Sequence, residues 1–318
     1  MRGGASVFNI TFTLTRRAAM TDRKTHLDTL AVALMVMCCF LWGLNQVAIK
    51  VALPEVPPLW QVAARSLGGA LLVALWAGLR GIPLFNRDQT LRGGLLAGTL
   101  FGAEFVCIFI GLEYTTASRM VVFINTSPFI VALGMPFISR AEHLSRAQIA
   151  GLLLAFAGVA WAFAEGFSKP VSGAHQLLGD ALGLTAAVLW GATTLVVRAT
   201  RLTAASAEKT LLYQLAVSGV LLAAAASLAG PPMPASLSVL AWSSLAFQVF
   251  VVTSFSYLVW FWLIRRYPAT RLASFTLLTP VFGLALGAAL LGEPITVRLV
   301  VAVATVAAGI VLVNRRKG

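Results

Sequence analysis

Leu41-Trp42-Gly43-Leu44-Asn45-Gln46-Val47-Ala48-Ile49-Lys50 is answered, 148 residues later, by Leu189-Trp190-Gly191-Ala192-Thr193-Thr194-Leu195-Val196-Val197-Arg198. In each stretch Leu-Trp-Gly is followed by six residues and a base. A second pair recurs at an offset of 152: Ala117-Ser118-Arg119 leading to Ser127-Pro128, and Ala269-Thr270-Arg271 leading to Thr279-Pro280. Matched motifs in the same order at nearly equal offsets indicate two similar halves that differ by small loop changes. The competing explanation is chance, since Trp-Gly and mid-helix Pro both occur readily in apolar helices.

Around these motifs the chain is apolar. Runs of about 20 residues, the length that spans a bilayer as a helix, number ten, near 29–50, 58–79, 92–112, 116–138, 146–165, 179–198, 209–229, 238–264, 268–291 and 296–314. The connectors are short and stop helices, as in Pro54-Glu55-Val56-Pro57-Pro58 and Gly230-Pro231-Pro232-Met233-Pro234. The chain is 59% hydrophobic and only 11% charged, against about 25% charged in ordinary soluble domains. A net charge of +13 raises the question of nucleic acid. The basic residues lie between apolar runs and form no basic face, so the expected surroundings are a lipid bilayer and no nucleic acid. Cys38, Cys39 and Cys107 sit inside apolar stretches, as small hydrophobes rather than a disulfide framework.

Lys and Arg near span ends are retained in the cytoplasm. With the N-terminus inside, only Lys50, Arg65, Arg119, Lys169 and Arg298 of the 24 basic residues fall in the outer half. Both termini are therefore expected in the cytoplasm. Residues 1–27 read as a cytoplasmic tail, because their apolar stretch is short and interrupted and lacks the features of a cleaved signal; Met20 is an equally good start.

Five runs separate the matched motifs, and five is odd, so the copies must run in opposite directions, with Lys50 outside and Arg198 inside. The expected fold is an all-α integral membrane protein with ten transmembrane helices as two inverted five-helix repeats. The repeats occupy 28–165 and 177–314. In secondary transporters of this kind the site lies near the midplane between the halves.

At these residues the sequence resembles the drug/metabolite transporter superfamily, and within it the proteins with two EamA domains. The resemblance rests on Trp42-Gly43-x-Asn45 with Lys50, on Thr279-Pro280-Val281-Phe282 followed by Leu291-Gly292-Glu293-Pro294, and on the weaker first-half version Thr126-Ser127-Pro128-Phe129. It covers about residues 28–314. It implies ten helices, cytoplasmic termini and, often, efflux of amino acids or related metabolites. The first half departs from the pattern, with Ser139-Arg140-Ala141-Glu142 in place of Leu-Gly-Glu, so the resemblance gives Glu142 no role symmetric with that of Glu293.

Helical spacing sets Trp42, Asn45, Gln46 and Ile49 on one face, and Trp190, Thr193, Thr194 and Val197 on the face of the repeat mate. Polar groups in a span belong toward the protein interior or a wet cavity, so these faces read either as cavity wall or as interhelical packing with buried hydrogen bonds. Thr253, Ser256, Tyr257 and Trp260 share a third such face, with Gln248 a turn and more before them. Trp260 and Trp262 are alternatively interfacial anchors. Glu104 is the one acid deep in a span. It reads as a site for a substrate ammonium or a coupling proton, or as the partner of a structural ion pair with Arg65 or Arg119. Its helix carries Gly94, Gly98 and Gly102 at the spacing of a packing seam, and Glu104 points roughly 120° away from that seam. Pro128 and Pro280 are expected to kink matched helices as hinge or gate, with Asn125 and Thr126 beside the first kink.

The candidate substrate-binding set is thus Trp42, Asn45, Gln46, Glu104, Asn125, Trp190, Thr193, Ser256 and Tyr257. His26, His143 and His175 lie outside the spans, no paired aspartates sit at membrane depth, and no P-loop pattern occurs. No catalytic residues, metal or cofactor are therefore expected. The expected function is a secondary transporter in a bacterial inner membrane, exporting amino acids including aromatic ones, with proton coupling in view. Drug, sugar or nucleotide-sugar transport are the alternatives within that class, and a membrane receptor or scaffold is the alternative outside it.

Overall fold

A computed structural model describes residues 28–138, 146–168, 173–267, 272, 275–276 and 278–314. The expected tail at 1–27, Lys169, Glu142 and the basic C-terminal residues lie outside these. Among the described residues the secondary structure is helical, with no strand. In chain order the helices are α1 (Thr29–Ala52), α2 (Pro58–Leu79), α3 (Leu91–Tyr114), α4 (Ala117–Ile124), α5 (Ser127–Ile138), α6 (Arg146–Ser168), α7 (Gln176–Ala199), α8 (Ala207–Ala229), α9 (Val239–Ala246), α10 (Tyr257–Arg266), α11 (Leu278–Leu291) and α12 (Val297–Asn314). A π-helical segment, Phe247–Ser256, joins α9 to α10 without a break.

Local chemistry sets the ends. Asp28, Thr116, Ser206 and Ser238 cap α1, α4, α8 and α9 by accepting from backbone N–H groups of the first turn. Pro58 opens α2, where its missing N–H costs nothing. Gly292 stops α11 at φ +65°, a conformation that residues with a Cβ rarely adopt.

Seven helical stretches among the described residues are long and apolar enough to cross a membrane: Thr29–Ala52, Pro58–Leu79, Leu91–Tyr114, Ala117–Ile138, Gln176–Ala199, Ala207–Leu228 and Val239–Trp260. Three shorter apolar helices accompany them, Ile149–Ala162, Leu278–Leu291 and Val297–Gly309. The chain is a multi-pass membrane protein.

Pro128 does not kink a continuous helix. The helix ends at Ile124, and Pro128 is the second residue of α5, a position where proline is tolerated. At the break side chains add to the backbone bonds: Val121 O accepts from Asn125 Nδ2 at 2.7 Å as well as from Asn125 N, and Phe123 O from Thr126 Oγ1 at 2.6 Å as well as from Thr126 N. Pro280 is likewise in the first turn of α11.

The packing joins distant segments. α2 lies on α8, α6 on α12, α3 on both α7 and α8, α1 on α11 and on the α9–π–α10 run, and α5 on α7. The glycine seam of α3 faces α8: a methyl group at Gly98 would sit 2.5 Å from Val217 Cβ, and one at Gly102 would sit 3.2 Å from Ser218 Cβ. The Trp-Gly motif glycines both allow close crossings. A methyl at Gly43 would lie 2.8 Å from Gly283 N and 3.1 Å from Phe282 Cβ, and one at Gly191 would lie 2.6 Å from Ile130 Cβ.

At the Lys50 end two buried polar clusters tie the bundle. Glu293 Oε1 accepts from Ala117 N at 2.7 Å, and Oε2 accepts from Ser118 N at 2.9 Å and Ser118 Oγ at 2.6 Å. Lys50 Nζ stands 3.9 Å from Glu293 Oε1 and donates to Thr115 O. Beside it Arg119 makes a forked pair with Asp180, Nη2 to Oδ2 at 2.6 Å and Nε to Oδ1 at 3.0 Å, while Thr115 Oγ1 donates to Asp180 Oδ1 at 2.6 Å. At the opposite end, hydrogen bonds from Thr90 and Lys209 hold the Asp88 carboxyl down at about 2.

Candidate functional site

The second turn of α2 carries the group that organises the interior. Arg65 is 1% exposed, and its guanidinium stacks over the Phe105 ring of α3 at 4.0 Å. Nε donates to Thr253 Oγ1 at 3.3 Å and Nη2 to Tyr257 Oη at 3.4 Å. Nη1 has no hydrogen-bond partner.

Thr253 reaches Arg65 because of the π geometry. On α2, Gln61 and Arg65 are four residues apart and share a face. Their partners across the interface, Gln248 and Thr253, are five apart, and only a wider turn aligns five-residue neighbours. Gln248 Nε2 donates to Gln61 Oε1 at 3.1 Å. The side chains also reinforce the wide turn, since Thr253 Oγ1 donates to Gln248 O at 2.7 Å and Ser254 Oγ to Val249 O at 2.8 Å.

One turn further, Trp42 Nε1 donates to Ser256 Oγ at 3.0 Å, and Ser256 Oγ donates to Val252 O at 2.6 Å. Trp42 stands edge-on to Trp260 with centroids 5.6 Å apart. Trp260 is thereby part of this interior wall, whereas Trp262 lies against Tyr267 and under Arg266 at 4.7 Å.

Glu104 on α3 is 4% exposed and its Oε2 has no hydrogen-bond partner. Arg119 is not its partner, being committed to Asp180. Arg65 is near enough to act on Glu104 electrostatically, yet the two form no ion pair within hydrogen-bonding reach. On α1, Asn45 and Gln46 are buried, and Asn45 Oδ1 and Gln46 Oε1 also lack partners. Buried polar atoms are normally satisfied; besides these on α1, α2 and α3, the unpartnered ones include Gln248 Oε1 on the π segment and Thr279 Oγ1 on α11.

Tyr257 thus meets Arg65, with Glu104 within electrostatic range, while Trp42 meets Ser256, the residue before Tyr257 in the chain. Trp190 and Thr193 on α7 make no hydrogen bond to that group. Thr193 is buried and donates to its own Leu189 O at 2.9 Å. Trp190 is 41% exposed, although it lies within about 60° of the buried Gly183, Ala186 and Ala187 on the helical wheel. The exposed Leu178, Thr185 and Val188 are about 120° or more away. Its exposure is therefore on the packed side of α7. Asn125 serves the α4 break described above.

Sequence reasoning left Arg65 as an outer charge or an ion-pair partner. Its position past the first turn of an apolar helix was the available signal. Nothing local in the sequence ties Asp180 to Arg119, 61 residues away.

The EamA-like transporter family matches twice, over residues 29–164 and 177–315. An uncharacterized transporter of Bacillus subtilis, YvbV, is 29% identical over 92% of this chain and 93% of its own length. A probable amino-acid metabolite efflux pump of Salmonella typhimurium is 28% identical over 83% of this chain and 87% of its own; its Escherichia coli namesake is 26% identical. A solved protein crystal structure shares the fold, with a TM-score of 0.65 at 16% identity, covering 90% of this chain and 96% of that one. With helices fit to cross a membrane several times and a family match over both halves, this chain is a transporter that belongs to the EamA-like family.

Proposed function

We propose that the protein exports amino acids, aromatic ones included, across a bacterial inner membrane, through a central cavity between two inverted five-helix repeats, 28–165 and 177–314. The observation that carries this reading is the set of unpartnered buried polar atoms on α1, α2 and α3, beside the aromatic groups Trp42, Tyr257 and Trp260. An amphiphilic solute needs both an apolar wall and a few placed polar groups. The inward exposure of Trp190 supports an opening bounded by α7, with Thr193 behind it. Two relatives carry names that refer to amino-acid metabolite efflux.

The packing supports the repeat. Under exchange of halves Gly43 maps on Gly191 and Phe282 on Ile130, so the Gly43–Phe282 contact becomes the Gly191–Ile130 contact. The helix pairings behave the same way: α1 with α11 answers α7 with α5, and α2 with α8 answers itself. The short apolar helices complete ten spans, with both termini cytoplasmic. Pro128 and Pro280, each in the first turn of its helix, are placed to act as paired hinges. Glu104 supplies the acid, for a solute ammonium or a coupling proton.

Counterflow in proteoliposomes with labelled amino acids, sugars and cationic drugs tests the reading. Exchange of amino acids is expected; exchange confined to sugars or drugs would replace it.

A further inference from the structure

The arrangement of Arg65 and Glu104 differs from that of the other buried charges. Arg119 and Asp180 satisfy each other in a direct fork, and Glu293 is saturated by the N-terminus of α4. Arg65 and Glu104 are opposite charges on facing helices, buried to 1% and 4% exposure. Each keeps an unpartnered atom, Nη1 and Oε2. A pair whose only role was mutual neutralisation would close to contact, because burying separated charges is costly.

Arg65 is instead held in place by other groups. Phe105 supports one face of the guanidinium, and Thr253 and Tyr257 accept from two of its nitrogens. The third nitrogen is left to donate. A planar guanidinium fixed in this way is suited to a carboxylate. Glu104 has the complementary capacity, since an ionised carboxylate accepts from an ammonium.

We infer that Arg65 and Glu104 form a zwitterion subsite, in which Arg65 receives the α-carboxylate and Glu104 the α-ammonium of the transported amino acid. This deepens the reading of the chain as an amino-acid exporter and rests on it. With Glu104 ionised the site carries no net charge, and a zwitterion adds none. A solute with only an ammonium leaves Arg65 unmatched, and one with only a carboxylate leaves Glu104 unmatched. The aromatic group of the solute falls toward Trp42 and Trp260, which adjoin the same stretch of helix through Ser256.

The test uses the full chain in detergent for binding and in proteoliposomes for counterflow, with L-phenylalanine, phenethylamine and 3-phenylpropionate as probes. The wild type is expected to favour phenylalanine over both analogues. Arg65→Gln should weaken phenylalanine at least tenfold and bring it level with phenethylamine, while Glu104→Gln should bring it level with phenylpropionate. Tyr257→Phe and Thr253→Val keep the charge but release its orientation, and should weaken phenylalanine while sparing phenethylamine. These two variants decide the matter if Arg65→Gln does not fold. Phenylalanine exchange with equal losses for all three probes in folded variants would overturn the zwitterion subsite and leave amino-acid export standing. Wild-type exchange of sugars or drugs but no amino acid would overturn both.

Discussion

Glu293 and Ser118 are joined twice, the carboxylate of one accepting from both the backbone N–H and the hydroxyl of the other. A residue at the end of α11 thereby caps the start of α4, 175 positions earlier in the chain. Charge-assisted bonds to a helix N-terminus are among the stronger single contacts in proteins. Glu293→Ala should cost about 1–3 kcal/mol, read as a lower thermal midpoint in detergent, and Glu293→Gln should cost less.

Arg119 and Asp180 make the converse kind of contact, a fully buried ion pair. Removing one partner strands the other charge, so Asp180→Asn or Arg119→Met alone should cost about 3–5 kcal/mol. The double variant should recover part of that loss. A double-mutant cycle on unfolding midpoints measures the coupling, and strict additivity would contradict it.

The loop before α3 should tolerate acid. Thr90 and Lys209 hold the Asp88 carboxyl at about 2, against an ordinary value of 3.8. A depressed folded-state value contributes stability that is present above the unfolded value and lost as pH falls through the folded one. The contact between this loop and α8 should therefore persist from neutral pH down to about 4 and weaken only toward pH 2. A spin label attached at neutral pH to a cysteine at Asn86, its mobility then read across that range, checks this, and Lys209→Met should move the loss to higher pH.

Trp190→Ala should weaken solute binding several-fold while leaving folded yield near wild type, because a side chain 41% exposed gives up little packing. Affinity for phenylalanine by tryptophan quenching, set against yield, measures both. A fall in yield with unchanged affinity would make Trp190 a packing residue.

Much of the architecture was legible because membrane helices announce themselves by length, apolarity and the prolines and bases between them. The seam of Gly94, Gly98 and Gly102 was legible for the same reason, since spacing along one helix predicts that a partner will press there, and α8 does. Helical periodicity put Ser256 and Trp260 on one face, and both meet Trp42, although the segment before Tyr257 winds as a π-helix and not at the spacing assumed. It did not identify what each touches, as partners are fixed by tertiary packing. Arg65 was counted with the outer charges, a treatment blind to a base that has moved one turn inward to meet Thr253 and Tyr257. The break at Asn125 was displaced by a few residues from the expected kink, because the side chains of Asn125 and Thr126 stabilise an interruption just before Pro128.

The segment Phe247–Ser256 winds wider than its neighbours and so holds a residue more than a regular helix would need to cover the same path. Regular winding of the same residues would leave hydropathy and composition intact, yet it would rotate α10 about 100° relative to α9. Tyr257 and Trp260 would then turn away from Arg65 and Trp42 with nothing in the composition to reveal it. Here the winding of one segment, held by the Thr253 Oγ1 bond to Gln248 O, sets which side chains of α10 meet α1 and α2, and a substitution that removed that bond would act on their aim without touching them.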